Sequence, residues 1–305
     1  MWFKNLLIFR FTRPFELNIE QLETKLADFP FSPCGSQDLS KFGWVKPLGK
    51  SGHALTHGIE SNILICAKKE DKVLPASVVK DMLQEKVDTI EAEQGRGLKK
   101  KEKDALKEDI VQQLLPRAFP RSSQTFAWIC PEQDLLVVDA SSAKKADDMI
   151  ALLRKCIGSL PVVPLTLSTP ADVTMTDWLN NGAATPGFEL GDEAELRSAL
   201  EHGGIIRCKE QDLTSEEIKH HLNADKLVTK LALDWKESLS FLLGEDVSVK
   251  RLKFSDIVKE QNDDVAADDY AAKFDADFAL MTGELMRFIP ELITALGGED
   301  SAQNK

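Results

Sequence analysis

The sequence predicts an α+β protein, and three observations carry that expectation. Short runs rich in Ile, Val, Leu and aromatic residues recur in both halves of the chain. A charged helical segment, Pro75–Arg117, lies among the early runs. A long amphipathic pattern, Asp268–Leu296, closes the chain.

In order, strand-like runs fall at Leu6–Phe11, Ile63–Ala67, Thr125–Cys130 and Leu135–Ala140. Pro75 suits a first helical turn, and Val79, Met82 or Leu83, Val87 (or Lys86) and Ile90 then form a stripe. Gly95-Arg96-Gly97 interrupts it, a second stripe runs through Leu106, Ile110 and Leu114, and Pro116 stops it. This predicts a projecting helical hairpin with arms of about 16 residues, each ~24 Å long. Ala146, Ile150, Leu153 and Ile157 share one face of a helix over Ala143–Ile157, and Leu160–Pro164 reads as a stiff extended connection. Beyond it, helices are expected at Ala171–Asn180 and Asp192–Glu201. Thr214-Ser215-Glu216-Glu217 has the capping-box pattern of another helix. Strands are expected at Ile205–Lys209, Lys226–Trp235 and Val247–Phe254, and the last helix is expected to break or kink near Pro290.

The 305 residues include 43% hydrophobic and 29% charged side chains, a balance that excludes wholesale disorder and a collagen-like chain. No apolar run reaches the ~18–20 residues of a membrane span, and the apolar N-terminus lacks a basic leader and cleavage site. Five cysteines, odd in number and without a CxxC pair, suit a reducing cytoplasm. Lys and Arg total 38 against 50 Asp and Glu, for a net charge of −12. That sum excludes a uniformly basic DNA coater. It is unevenly spread, however: from Asp256 onward there are 12 acidic and 4 basic residues, leaving the rest of the chain at −4.

Strand alternation then separates faces. In Lys226–Trp235, Leu227, Leu231, Leu233 and Trp235 point one way, with Thr229 the exception among the odd positions, sending Lys226 and Lys230 the other. Arg251 and Lys253 oppose Leu252 and Phe254, and Arg207 and Lys209 oppose Ile206 and Cys208. If these strands pair, six basic side chains share one polar sheet face, which reads either as solvated charge or as a phosphate-tracking surface. A second basic run, Arg96 with Lys99, Lys100, Lys101 and Lys103, reads as a solvated helix terminus.

Catalytic patterns are lacking. His53 and His57 have i, i+4 spacing but no third ligand nearby, and His220-His221 point apart on a helix. Asp263-Asp264 and Asp268-Asp269 read as a solvated acidic turn rather than a magnesium site. No P-loop, GxSxG or dinucleotide fingerprint occurs. The expectation is a binding protein, not an enzyme, with no metal or cofactor. Phe119, between Pro116-Arg117 and Pro120-Arg121 at the hairpin exit, is either a rigid exposed anchor or core at the hairpin base.

Several stretches resemble the proteobacterial recombination-associated RdgC family. They include Trp2–Leu6, Pro33–Asp38, Leu114–Phe119, Gly158–Leu165, Gln211–Ile218, Val228–Trp235 and Phe274–Phe278. The resemblance implies a ring-shaped homodimer that binds single- and double-stranded DNA without sequence preference and restrains the RecA recombinase. It implies a central α/β body (1–74 and 118–169), a helical tip (75–117) and a base (170–305). Candidate DNA contacts are then Arg207, Lys209, Lys226, Lys230, Arg251, Lys253 and Arg117, with Phe119 and Gln211 at dimer contacts. Glu210 departs from the basic stretch that precedes it. The implied partners are DNA, a second copy and RecA, with no membrane, in a cytoplasmic, nucleoid-associated setting. The rival reading is a regulator that touches the recombinase directly and DNA only incidentally.

Overall fold

The computed structural model describes residues 1–200, 203–262 and 269–300. The strands are β1 (Leu7–Phe11), β2 (Ser40–Val45), β3 (Thr56–Ile59), β4 (Asn62–Val73), β5 (Phe119–Cys130) and β6 (Leu135–Asp139). They continue with β7 (Val162–Pro164), β8 (Phe188–Ser198), β9 (Ile205–Cys208), β10 (Lys226–Trp235), β11 (Leu239–Gly244) and β12 (Val249–Phe254). The helices are α1 (Ile19–Leu26), α2 (Ala76–Gln94), α3 (Lys100–Leu114), α4 (Ala143–Ile157), α5 (Ala171–Asn181), α6 (Glu216–Leu222), α7 (Asp256–Lys259) and α8 (Tyr270–Ala295). The chain divides into two compact units: Met1–Leu26, Lys46–Cys66 and Thr125–Lys305 form the first, and Ala27–Val45 with Ala67–Gln124 the second.

The first unit contains two sheets. One has the order β3-β4-β5-β6-β1-β7, and the other runs β12-β11-β10-β8-β9 with antiparallel neighbours. A shared core brings Ile8, Trp128 and Val137 of the first sheet together with Leu196, Leu231 and Leu243 of the second. Helix α8 supplies Phe278, Leu285, Phe288 and Leu292 to that core, all fully buried. The Phe288 ring meets Trp235 at 5.4 Å and Phe241 at 5.0 Å. Helices α5 and α6 lie against β10, where Thr176 Oγ1 accepts from the Val228 N–H at 2.9 Å.

Helix α8 continues through Pro290 instead of breaking. Proline cannot donate to the carbonyl four residues back. Gln133 Nε2 donates to that Met286 carbonyl at 2.8 Å, so the bond that proline cannot make is replaced from outside the helix. Of the helix expected over Asp192–Glu201, residues 192–198 instead belong to β8, and Glu201 lies outside the described residues. The Thr214 hydroxyl is taken by Asp212 Oδ1 at 2.6 Å, and α6 opens at Ser215 without a side-chain cap. The extended Leu160–Pro164 connection contributes β7, paired antiparallel with β1.

In the second unit the strand order is β2-β4-β5, accompanied by α2 and α3, which pack against each other. Gly95 ends α2 with φ +64°, a left-handed geometry that glycine adopts without strain. Arg96 binds both carboxylate oxygens of Glu102, at 2.6 and 3.1 Å, and Glu102 also accepts from the Lys99 N–H at 2.8 Å. With Lys103 3.3 Å from Glu91, part of the basic run at this turn serves to join the helices.

Candidate nucleic-acid interface

Alternation along the second sheet sends Leu231, Leu233 and Trp235 into the core and the intervening residues outward. Glu195 on β8 stands opposite Lys230 on β10 and Arg207 on β9. Its carboxylate accepts from Arg207 Nε at 2.7 Å, Lys230 Nζ at 3.0 Å and Thr229 Oγ1 at 3.3 Å, and Arg197 lies 3.8 Å away. The residue is 5% exposed. Hydrogen bonding from Arg207 is the main influence that lowers its pKa to about 2; burial opposes the shift and Lys230 adds to it. Glu193 repeats the arrangement, 2.8 Å from Arg251 and 3.8 Å from Lys209.

Lys253 stands opposite Ser240 with no carboxylate partner among the described residues. It and Arg251 border a depression of 180 Å³ that also takes in Gly191, Ala232 and Ser240. A Cβ at Gly191 would lie 2.9 Å from that of Ala232, so the close approach of β8 and β10 requires glycine there. Arg251 has φ +52°, at the irregularity where β11 and β12 shift register.

Five of the six expected basic side chains therefore meet on the outward side: Arg207, Lys209, Lys230, Arg251 and Lys253. Lys226 does not join them. The β8–β10 register shifts between Val228 and Lys230, and Val228, opposite Leu196, is fully buried. Lys226 shares the phase of Val228, so the bulge at Thr229 separates it from Lys230. Sequence reasoning missed Lys250, opposite Leu242, and the carboxylates Glu193 and Glu195. The signal was present in Glu193-Ala194-Glu195-Leu196-Arg197, where polar and apolar residues alternate.

Gln211 is exposed and its N–H donates to the Asp192 carbonyl at 3.1 Å. In the second unit, Arg117 lies exposed just after α3. Phe119 is 83% exposed, which excludes it from the core of this chain. Lys72 donates to the Leu39 carbonyl through its N–H and to the Ala118 carbonyl through Nζ, gathering exposed Leu39, Val73 and Phe119 in one neighbourhood.

His57, on β3, lies 3.3 Å from Asp275 with its ring against Phe274 and Phe278, whereas His53 is outside any regular element. Among the described residues, no three His, Cys, Asp or Glu are grouped to hold a metal ion. Asp263, Asp264 and Asp268 lie outside the described residues, and Asp269 caps α8 by accepting from the Ala272 N–H. No described helix is long and apolar enough to cross a membrane.

The molecule is thus a mixed α+β protein whose second sheet turns a densely charged face outward. A family model described as "Putative exonuclease, RdgC" matches residues 1–299. The chain is 67% identical over 299 residues to the recombination-associated protein RdgC of Tolumonas auensis, covering 98% of this chain and 99% of that one. It is 67% identical over 302 residues to the protein of the same name from Aeromonas hydrophila (99% and 100% covered) and 63% over 301 residues to that of Psychromonas ingrahamii (99% and 100%). The chain belongs to the RdgC family.

Proposed function

We propose that this chain binds single- and double-stranded DNA without sequence preference and thereby restrains RecA-mediated recombination. The observation that carries this reading is the outward sheet face, where Arg207, Lys209, Lys230, Arg251 and Lys253 converge. Cations held at a sheet surface match the phosphate backbone, which every sequence shares. The relatives' designation, "recombination-associated", points the same way.

The working form is a ring-shaped homodimer, with residues 75–117 as the tip and 170–305 as the base. Phe119, exposed beside Leu39 and Val73, suits contact with a second copy at the tip. Gln211 serves the base contact, and Arg117 adds a phosphate contact. The protein acts in the cytoplasm at the nucleoid, without a metal or cofactor.

Gel-shift titration over a salt series on unrelated duplexes tests this. Affinity should fall steeply with salt and differ little between sequences. Replacing the exposed Lys209 and Lys253 by Glu should weaken binding and flatten the log–log salt slope by about one for each phosphate no longer neutralised. Salt-insensitive binding overturns the reading. If the double variant fails to bind DNA but still inhibits RecA strand exchange, the chain acts on the recombinase directly. The word "exonuclease" in the family description is tested alongside: with magnesium, end-labelled DNA should be recovered intact.

A further inference from the structure

We propose that the cleft where the first residues of the chain meet β12 receives an unstacked base of single-stranded DNA. The backbone of this segment runs beside β12, with Leu6 exchanging hydrogen bonds with Val249 and the Lys4 carbonyl accepting from the Leu252 N–H at 2.8 Å. Phe3 is fully buried and Met1 is tied through its ammonium group to Asp277. Between these two anchors Trp2 remains partly exposed, its ring 4.7 Å from that of Phe254 and tilted by 50°. Its place is fixed before any ligand arrives, which lowers the ordering cost of stacking.

Trp2 lines a cleft of 640 Å³, within the ~300–1,000 Å³ range of small-ligand sites. Lys4, Lys253 and Lys259 border it together with the carboxylates of Asp234, Glu237 and Asp256, the last of them 3.9 Å from Lys259, and Ser255 also contributes to its wall. The Ser255 hydroxyl oxygen is buried with no hydrogen-bond partner among the described residues. The ring can take a base by stacking, and Lys4 and Lys253 at the same cleft can meet the flanking phosphates. Lys253 lines both this cleft and the depression on the charged sheet face, so a strand crossing that face leads into the cleft. The Asp234 carboxylate can accept from an exocyclic amine, which cytosine carries and thymine lacks.

This inference rests on the DNA-binding reading, and the experiment separates the two. Fluorescence anisotropy of the full chain is measured with oligo(dC), oligo(dT) and a mixed duplex at one salt concentration. Oligo(dC) should bind more tightly than oligo(dT), a modest preference confined to unstacked bases and added to the phosphate binding that every sequence shares. Trp2→Ala should weaken oligo(dC) binding about fivefold or more while changing duplex binding by less than about twofold. Trp2→Phe, which keeps a stacking ring, should retain most of the affinity, and Asp234→Ala should erase the preference for oligo(dC). Equal binding of the two oligomers by the unmodified chain overturns the inference. So does a folded Trp2→Ala variant that weakens all three ligands alike, or none. Should Trp2→Ala not fold, the Asp234→Ala comparison decides. No binding to any DNA is the separate failure of the parent reading.

Discussion

Glu195 places a counter-charge within the surface read as DNA-binding. While it accepts from Arg207 and Lys230, neither cation is fully available to a phosphate. Glu195→Gln keeps the shape and removes the charge, so DNA affinity should rise and the salt slope steepen by about one to two. The same group predicts an acid response. Its folded pKa of about 2 lies below the ordinary 4.5, so its stabilising contribution is full above pH 4.5 and fades as pH falls toward 2. The difference in melting temperature between the unmodified chain and Glu195→Gln should therefore shrink across that window. Phe119 predicts a contrasting outcome. Because it is 83% exposed, Phe119→Ser should shift the stability of the subunit by less than about 0.5 kcal/mol while reducing the dimer fraction seen by light scattering. An unchanged mass would remove Phe119 from the assembly contact.

At the scale of elements, periodicity located what it could and missed what depends on partners. Lys226–Trp235 and Ala143–Ile157 have the bounds expected from their patterns, because each buries a regular apolar set. Residues 192–201 read as a helix because Ala, Glu, Leu and Arg favour that state; over 192–198, pairing with both β9 and β10 overrides the preference. Helix α1 went unread, although Asn18 and Gln21 carry a reciprocal cap in which Asn18 Oδ1 accepts from the Gln21 N–H at 2.8 Å. The face of basic residues was legible from alternation alone, but the Thr229 bulge that removes Lys226 was not, since an extra residue leaves no mark in composition. The uninterrupted α8 is a further partner-dependent outcome. Gln133→Leu should leave the Met286 carbonyl without its donor and cost about 1 kcal/mol in urea unfolding, whereas a lone surface change would cost almost nothing.

For the whole molecule, the net charge of −12 conceals where its cations stand. Much of the acidity follows Asp256, while the outward sheet face gathers lysines and arginines contributed by β9, β10, β12 and the residue just after β9. Local fields, not the total, govern which surface a polyanion meets. The pairing of the first residues with β12 bears also on how the molecule is made. Leu6 and Val249 are separated by most of the sequence, so their pairing closes a long loop, and such pairings form late in folding. Until residues 4–6 dock, β12 offers unpaired N–H and C=O groups at the edge of the second sheet, so the folding chain is open to edge-to-edge association for as long as that long-range pairing takes to form.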